Sequence, residues 1–166
     1  KRLVKLSCLV IPDKKTEQES RSLRYVDERL LAMPPVALMQ AKMEMDYMFG
    51  LAEENLRLSV NAMTGKTVDR AEILRNEEII DFTNGALTSF LIKLSSTQLS
   101  ASDEATIGAY FHVLNDLERV GDHAENFHDI GLEMIKKDIH FSSRALGGIS
   151  TMRDTVVQMF EIAKDA

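Results

Sequence analysis

The sequence predicts an all-α fold, an antiparallel bundle of three long helices plus a fourth. Three observations carry this. The 166 residues include only 3 Pro and 8 Gly, the two residues that break helices. Apolar residues recur at spacings of three and four over stretches of more than 25 positions. No segment alternates apolar and polar residues for long enough to suggest a sheet. Hydrophobic residues make up 45% and charged residues 28%, a globular balance that argues against disorder.

Residues 1–24 read as a tail. An apolar run from Leu3 to Ile11, interrupted by Lys5, leads into a polar stretch of mixed charge. Ordered structure is expected from Tyr25. Pro34-Pro35 suits a helix start, since the N–H that proline lacks would be unpaired there anyway. From Val36 to about Met63, Leu38, Ala41, Met45, Met48, Ala52, Leu56 and Ser59 form one stripe, and Thr64-Gly65 is a natural stop. The methionines of this helix (Met33, Met39, Met43, Met45 and Met48) read as core filler.

A second helix is expected over about 67–94, with Ile73, Ile80, Leu87, Leu91 and Leu94 inward. Ser100 and Asp103 form a capping-box pattern that opens a third helix over about 103–135. Its core candidates are Ile107, Phe111, Leu114, Leu117, Ala124 and Phe127. Ser142 or Ser143 can cap a fourth helix, about 144–163. Its opening Ala145-Leu146 repeats Ala37-Leu38 of the first helix, as if a second bundle began there and were cut short. Helices this long with short links pack as antiparallel neighbours.

Charge narrows the function. A net charge of −6 and a pI near 5.3 argue against a nucleic-acid partner and permit binding of cations. The single cysteine, Cys8, excludes an internal disulfide and points to a reducing compartment. No run reaches the about 18–20 apolar residues of a membrane span. Nucleophile elbows, Walker loops and dinucleotide fingerprints are absent from the sequence.

The most informative pattern is Glu-x-x-x-Asp, which occurs at Glu77/Asp81, Glu118/Asp122, Glu125/Asp129 and Glu161/Asp165. On a helix these carboxylates lie one turn apart on one face and repel each other. Two such pairs on neighbouring helices build an oxygen-rich cage for a divalent or iron-type metal ion. The second helix adds Asn84 to Glu77 and Asp81. The third places Asn115, Glu118, Asp122 and Asp129 in one polar stripe, with Gly121 beside Asp122 leaving room for close approach. Glu161/Asp165 reads as surface. Glu125-x-x-His128 has the spacing of di-iron bundles, but that enzyme class needs a second copy on another helix. His128 is therefore expected on the surface or at an interface.

Two longer stretches add a resemblance. Residues 25–38, YVDERLLAMPPVAL, are similar to the segment that opens the cytosolic domain of bacterial sodium/phosphate cotransporters. Residues 112–126, HVLNDLERVGDHAEN, resemble the signature helix of PhoU-like domains, and Glu77–Asp81 matches the acidic pair on the preceding helix. The resemblance implies a three-helix, spectrin-repeat-like bundle with metal held by Glu77, Asp81, Glu118 and Asp122. It also implies a membrane-embedded phosphate-transport part of the same polypeptide as partner, at the cytoplasmic face of the membrane. Residues 25–166 would then be the PhoU-like domain, and 1–24 the juxtamembrane linker. Met33 stands where the family has a capping threonine, and Phe127-His128 replaces Ile-Ala. A stand-alone phosphate-uptake regulator is the alternative and a di-iron enzyme the outsider; the expected role is regulatory, not catalytic. Packing of the unfilled bundle face makes a homodimer an expected partner arrangement.

Overall fold

The computed structural model describes residues 22–165. Most of the tail expected over 1–24 therefore lies outside the described residues. Among the described residues a 3-10 turn at Glu28–Ala32 leads into four α-helices: α1 (Pro34–Met63), α2 (Arg70–Ser95), α3 (Ala101–Lys136) and α4 (Ser143–Asp165). Among the described residues there is no strand, and no helix is long and apolar enough to cross a membrane. The all-α bundle is as predicted, with helix ends shifted by at most three residues.

The caps explain where each helix begins and ends. Pro34 and Pro35 occupy the first turn of α1, and Met33 supplies no side-chain cap. At its other end Gly65 takes φ +86°, which lets Lys66 N–H reach the Asn61 carbonyl at 2.9 Å and Gly65 N–H reach Ala62 at 3.0 Å. This is a Schellman closure. Asp69 caps α2 by accepting from Ala71 N–H at 2.9 Å. The capping box of α3 is fully formed: Asp103 N–H donates to Ser100 Oγ at 3.1 Å, and Ser100 N–H donates to Asp103 Oδ2 at 3.2 Å. The same helix ends in a second Schellman closure, Ile139 N–H to Met134 O at 2.9 Å, with Asp138 at φ 52° in place of glycine. Of the two serines that could cap α4, Ser142 does so, its Oγ accepting from Ala145 N–H.

All seven residues of the α1 stripe are buried, as are the five apolar positions expected in α2. Most of them share one core with Ile107, Leu114 and Leu117 of α3; Ala124 is buried as well, while Phe111 and Phe127 are only partly buried. Two methionines of α1 do fill it, Met45 and Met48. Met33, Met39 and Met43 correct the expectation: they face outward, because the stripe is a single face and they lie off it.

The α1–α2 contact carries a polar link, with Asn76 Nδ2 donating to Asn55 Oδ1 and Asn55 Nδ2 donating to the Ile73 carbonyl, at 2.9 and 3.0 Å. Ordered packing begins ahead of Tyr25. Leu23 leans on the core, the Arg24 guanidinium lies 3.9 Å from the centre of the Tyr47 ring, and the buried Glu44 accepts Tyr25 N–H at 2.9 Å. Gln40 accepts Asp27 N–H at 3.1 Å. α4 packs on α1 alone, through an edge-to-face contact of Phe160 on Phe49 with ring centres 5.7 Å apart. Its Met152, Met159 and Ile162 are exposed.

Candidate metal centre in the α2–α3 seam

The positions of α2 divide by helical angle. Ile80 and Leu87 point into the core, Ile73 is buried as well, and Asn76 turns toward α1, where it meets Asn55. Glu77 turns toward α3. A Cβ built on Gly121 would collide with Glu77 Oε2 and stand 3.1 Å from its Cδ. Glycine at 121 is what admits the carboxylate, which is only 8% exposed.

Neither oxygen of Glu77 has a hydrogen-bond partner, although both are buried. A carboxylate so placed favours its neutral form. Desolvation comes first, then the fields of Asp81, Asp122, Glu125 and Glu118, and together they push the Glu77 carboxyl up to about 7. Glu118 is raised as well, by desolvation and then by Asp122 and Asp81, with Arg119 opposing. The seam thus brings the four predicted ligands into one electrostatic cluster: Glu77 buried, Glu118 half-buried, Asp81 and Asp122 at the solvent edge. Among the described residues none of the four makes an ion pair.

The other Glu-x-x-x-Asp pairs behave differently. Arg70 of α2 reaches Glu125 at 3.6 Å and Asp129 at 3.3 Å, so a guanidinium already neutralises that pair. Glu161 is exposed on α4, as expected of surface. His112 and His123 are exposed.

His128 corrects an expectation. It is 2% exposed, inside the bundle, with Nδ1 3.4 Å from Asp129 Oδ1. The reason is its angle: it continues the buried line Leu114, Leu117, Gly121, Ala124 of α3, which closes on the end of α1.

The donors suit a hard cation. They are carboxylate oxygens, one has two buried and unpartnered atoms, and positive charge would remove the mutual repulsion. Among the described residues, no three His, Cys, Asp or Glu side chains already stand grouped as metal ligands. Repulsion keeps uncompensated carboxylates apart, so any ligation requires rotation of Asp81, Glu118 and Asp122 toward Glu77.

Fold and seam define a class: an all-α bundle with an acidic seam between two of its helices. The PhoU domain profile matches residues 45–130, just over half of the chain, and the chain belongs to that family. Membership points to a role in the regulation of phosphate homeostasis. No curated protein and no solved structure matches the chain. The matched span runs from mid-α1 to near the end of α3 and contains the whole seam.

Proposed function

We propose that the chain is the cytosolic regulatory domain of a sodium-dependent phosphate transporter and that its α2–α3 seam binds a divalent or iron-type metal ion through Glu77, Asp81, Glu118 and Asp122. The observation that carries the metal reading is Glu77, a buried carboxylate with both oxygens unpartnered and glycine opposite it. Burying such a group alone costs about 1–3 kcal/mol or more, and simple stability would favour an apolar residue there. The transporter reading is supported by residues 25–38 and their similarity to the opening of cotransporter cytosolic domains.

A bound cation supplies charge neutralisation. Asp81 and Asp122 sit at the rim, where they first meet an ion from solvent, and Glu118 and Glu77 lie progressively deeper. Drawing these four together tightens α2 against α3, while their repulsion loosens it. The seam is thereby a two-state element whose packing reports on its charge. Movement of α3 reaches α1 through the contact at Gly131, and α1 holds the entering chain through Glu44 and Gln40. The exposed apolar residues of α4 suit a further partner surface, and a second copy of the chain is the arrangement we propose for it.

The test is elemental analysis of the purified protein beside the Glu118→Ala/Asp122→Ala variant, followed by phosphate uptake with the same changes in the full polypeptide. Metal in stoichiometric amount, lost in the variant and accompanied by altered uptake, is the expected result. A wild-type protein that holds no metal, even after incubation with manganese or iron, overturns the metal reading. Unchanged sodium-dependent uptake in a metal-free variant overturns the regulatory coupling.

A further inference from the structure

Beyond the four carboxylates, the seam contains one further buried oxygen without a partner among the described residues. It is Oδ1 of Asn84. Asn84 follows Glu77 by seven residues, so it lies only about 20° away around α2, two turns along. It follows Asp81 by three, which sets it above that carboxylate on the same face. It is therefore on the α3 side of the helix, not on the α1 side that Asn76 uses to bond Asn55.

Contact of Glu77 with Gly121 fixes the register of the antiparallel pair. Seven residues further along α2 brings Asn84 level with Leu114, whose neighbour one turn away on α3 is the half-buried Glu118. Asn115, also at this level, turns its amide back and donates to the Phe111 carbonyl of its own helix at 3.0 Å. It offers Asn84 no donor there.

We infer that Asn84 is a further oxygen donor of the seam, a neutral carbonyl ligand at its Asp81–Glu118 end for a hard divalent cation held there, and that it helps set the affinity of the site. This rests on the reading of the seam as a cation site and extends it. Two points favour a ligand over a structural amide. An unpartnered buried carbonyl weakens the fold, so leucine, of nearly the same shape, would serve packing better. An amide oxygen also adds a ligand without adding negative charge to four carboxylates that already repel, and Asn carbonyls are ordinary ligands for hard cations.

The experiment is calorimetric titration of the chelator-stripped protein with manganese chloride, with thermal melts of the metal-free and manganese-saturated forms. Asn84→Leu, Asn84→Asp and Glu77→Gln are compared with the wild type. Asn84→Leu is expected to weaken manganese binding about tenfold or more. Its metal-free melting point should stay level or rise by about 2–4 °C, because the unpaired carbonyl is gone. A structural asparagine would move the melting point down instead. Asn84→Asp keeps an oxygen in place and is expected to bind manganese at least as tightly as the wild type. Should Asn84→Leu fail to fold, Asn84→Asp decides, and weaker binding by it overturns the inference. Wild-type affinity in Asn84→Leu, with binding lost in Glu77→Gln, overturns the role of Asn84 and leaves the seam reading standing. Absence of binding in the wild type overturns both.

Discussion

Two glycines of α3 stand ten residues apart and face different neighbours. At Gly131 a Cβ would lie 2.8 Å from the backbone of Ala62 and Met63, so the glycine lets α3 close directly onto the end of α1. At Gly121 the obstacle would be the carboxylate of Glu77, the far end of a flexible side chain. The first glycine serves density and the second makes a chamber for charge. One helix therefore has a rigid contact and an adjustable one, and the adjustable one holds the unpaired groups. Packed interiors tolerate neither overlap nor unpaired charge for the sake of stability. The α1–α3 contact obeys both rules, whereas the α2–α3 seam breaks the second.

Four substitutions test this contrast. The largest effect is expected from Gly131→Ala, since neither backbone can move aside. It should lower unfolding free energy by about 1–3 kcal/mol in urea melts. An effect near zero would mean that the α1–α3 contact is looser than its spacing indicates.

Glu77→Gln should act in the opposite direction and depend on pH. A Glu77 carboxyl at about 7 in the fold sits above its ordinary value of 4.5. The folded state then binds more protons than the unfolded one between these values. Stability from this group is complete below pH 4.5, falls as pH rises to 7, and is lost above it. The metal-free variant should therefore exceed the wild type by about 1–3 kcal/mol at pH 8 and by little at pH 5. An equal difference at both pH values would show that titration of Glu77 does not drive it.

Asp138→Gly should stabilise by about 0.5–1 kcal/mol, because α3 closes with a left-handed residue as α1 does, but with aspartate in place of Gly65. A thermal melt that falls instead would give the Asp138–His140 contact, 3.0 Å long, more weight than its exposure suggests. The smallest change in stability is expected for Gly121→Ala, where about 1 kcal/mol of helix propensity offsets displacement of Glu77. Its signature is in the seam: the Glu77 titration, followed by NMR, should move toward ordinary carboxylate values as the side chain is pushed toward water.

Much of the fold was legible because helical periodicity is local. Leu38 through Ser59 and Ile73 through Leu94 repeat at a spacing that only one conformation uses, and all of them are buried. Caps were legible for the same reason, from Ser100 with Asp103 and from Thr64-Gly65. Polar residues on those same stripes were harder to read. Glu44 falls three after Ala41, Asn55 three after Ala52, and His128 four after Ala124, so spacing alone marked each as inward. Polarity argued against it, and their partners lie 18 or more residues away for Glu44 and Asn55. The acidic pairs stood out in the sequence, but which pair was neutralised depended on Arg70 facing Glu125 and Asp129, a matter of register between helices. The apposition of Glu77 with Gly121 was hidden for the same reason.

The bond from Tyr25 to Glu44 has a mechanical meaning. Glu44 is a third of the way along α1, buried, and it grips the main chain and not a side chain. A second grip at Gln40 holds Asp27. A pull on the chain ahead of Tyr25 is therefore delivered to the body of a 30-residue rod, not dissipated in slack before Pro34. The entering segment is fastened by its backbone at two points one turn apart on α1, so its direction is tied to that of the helix.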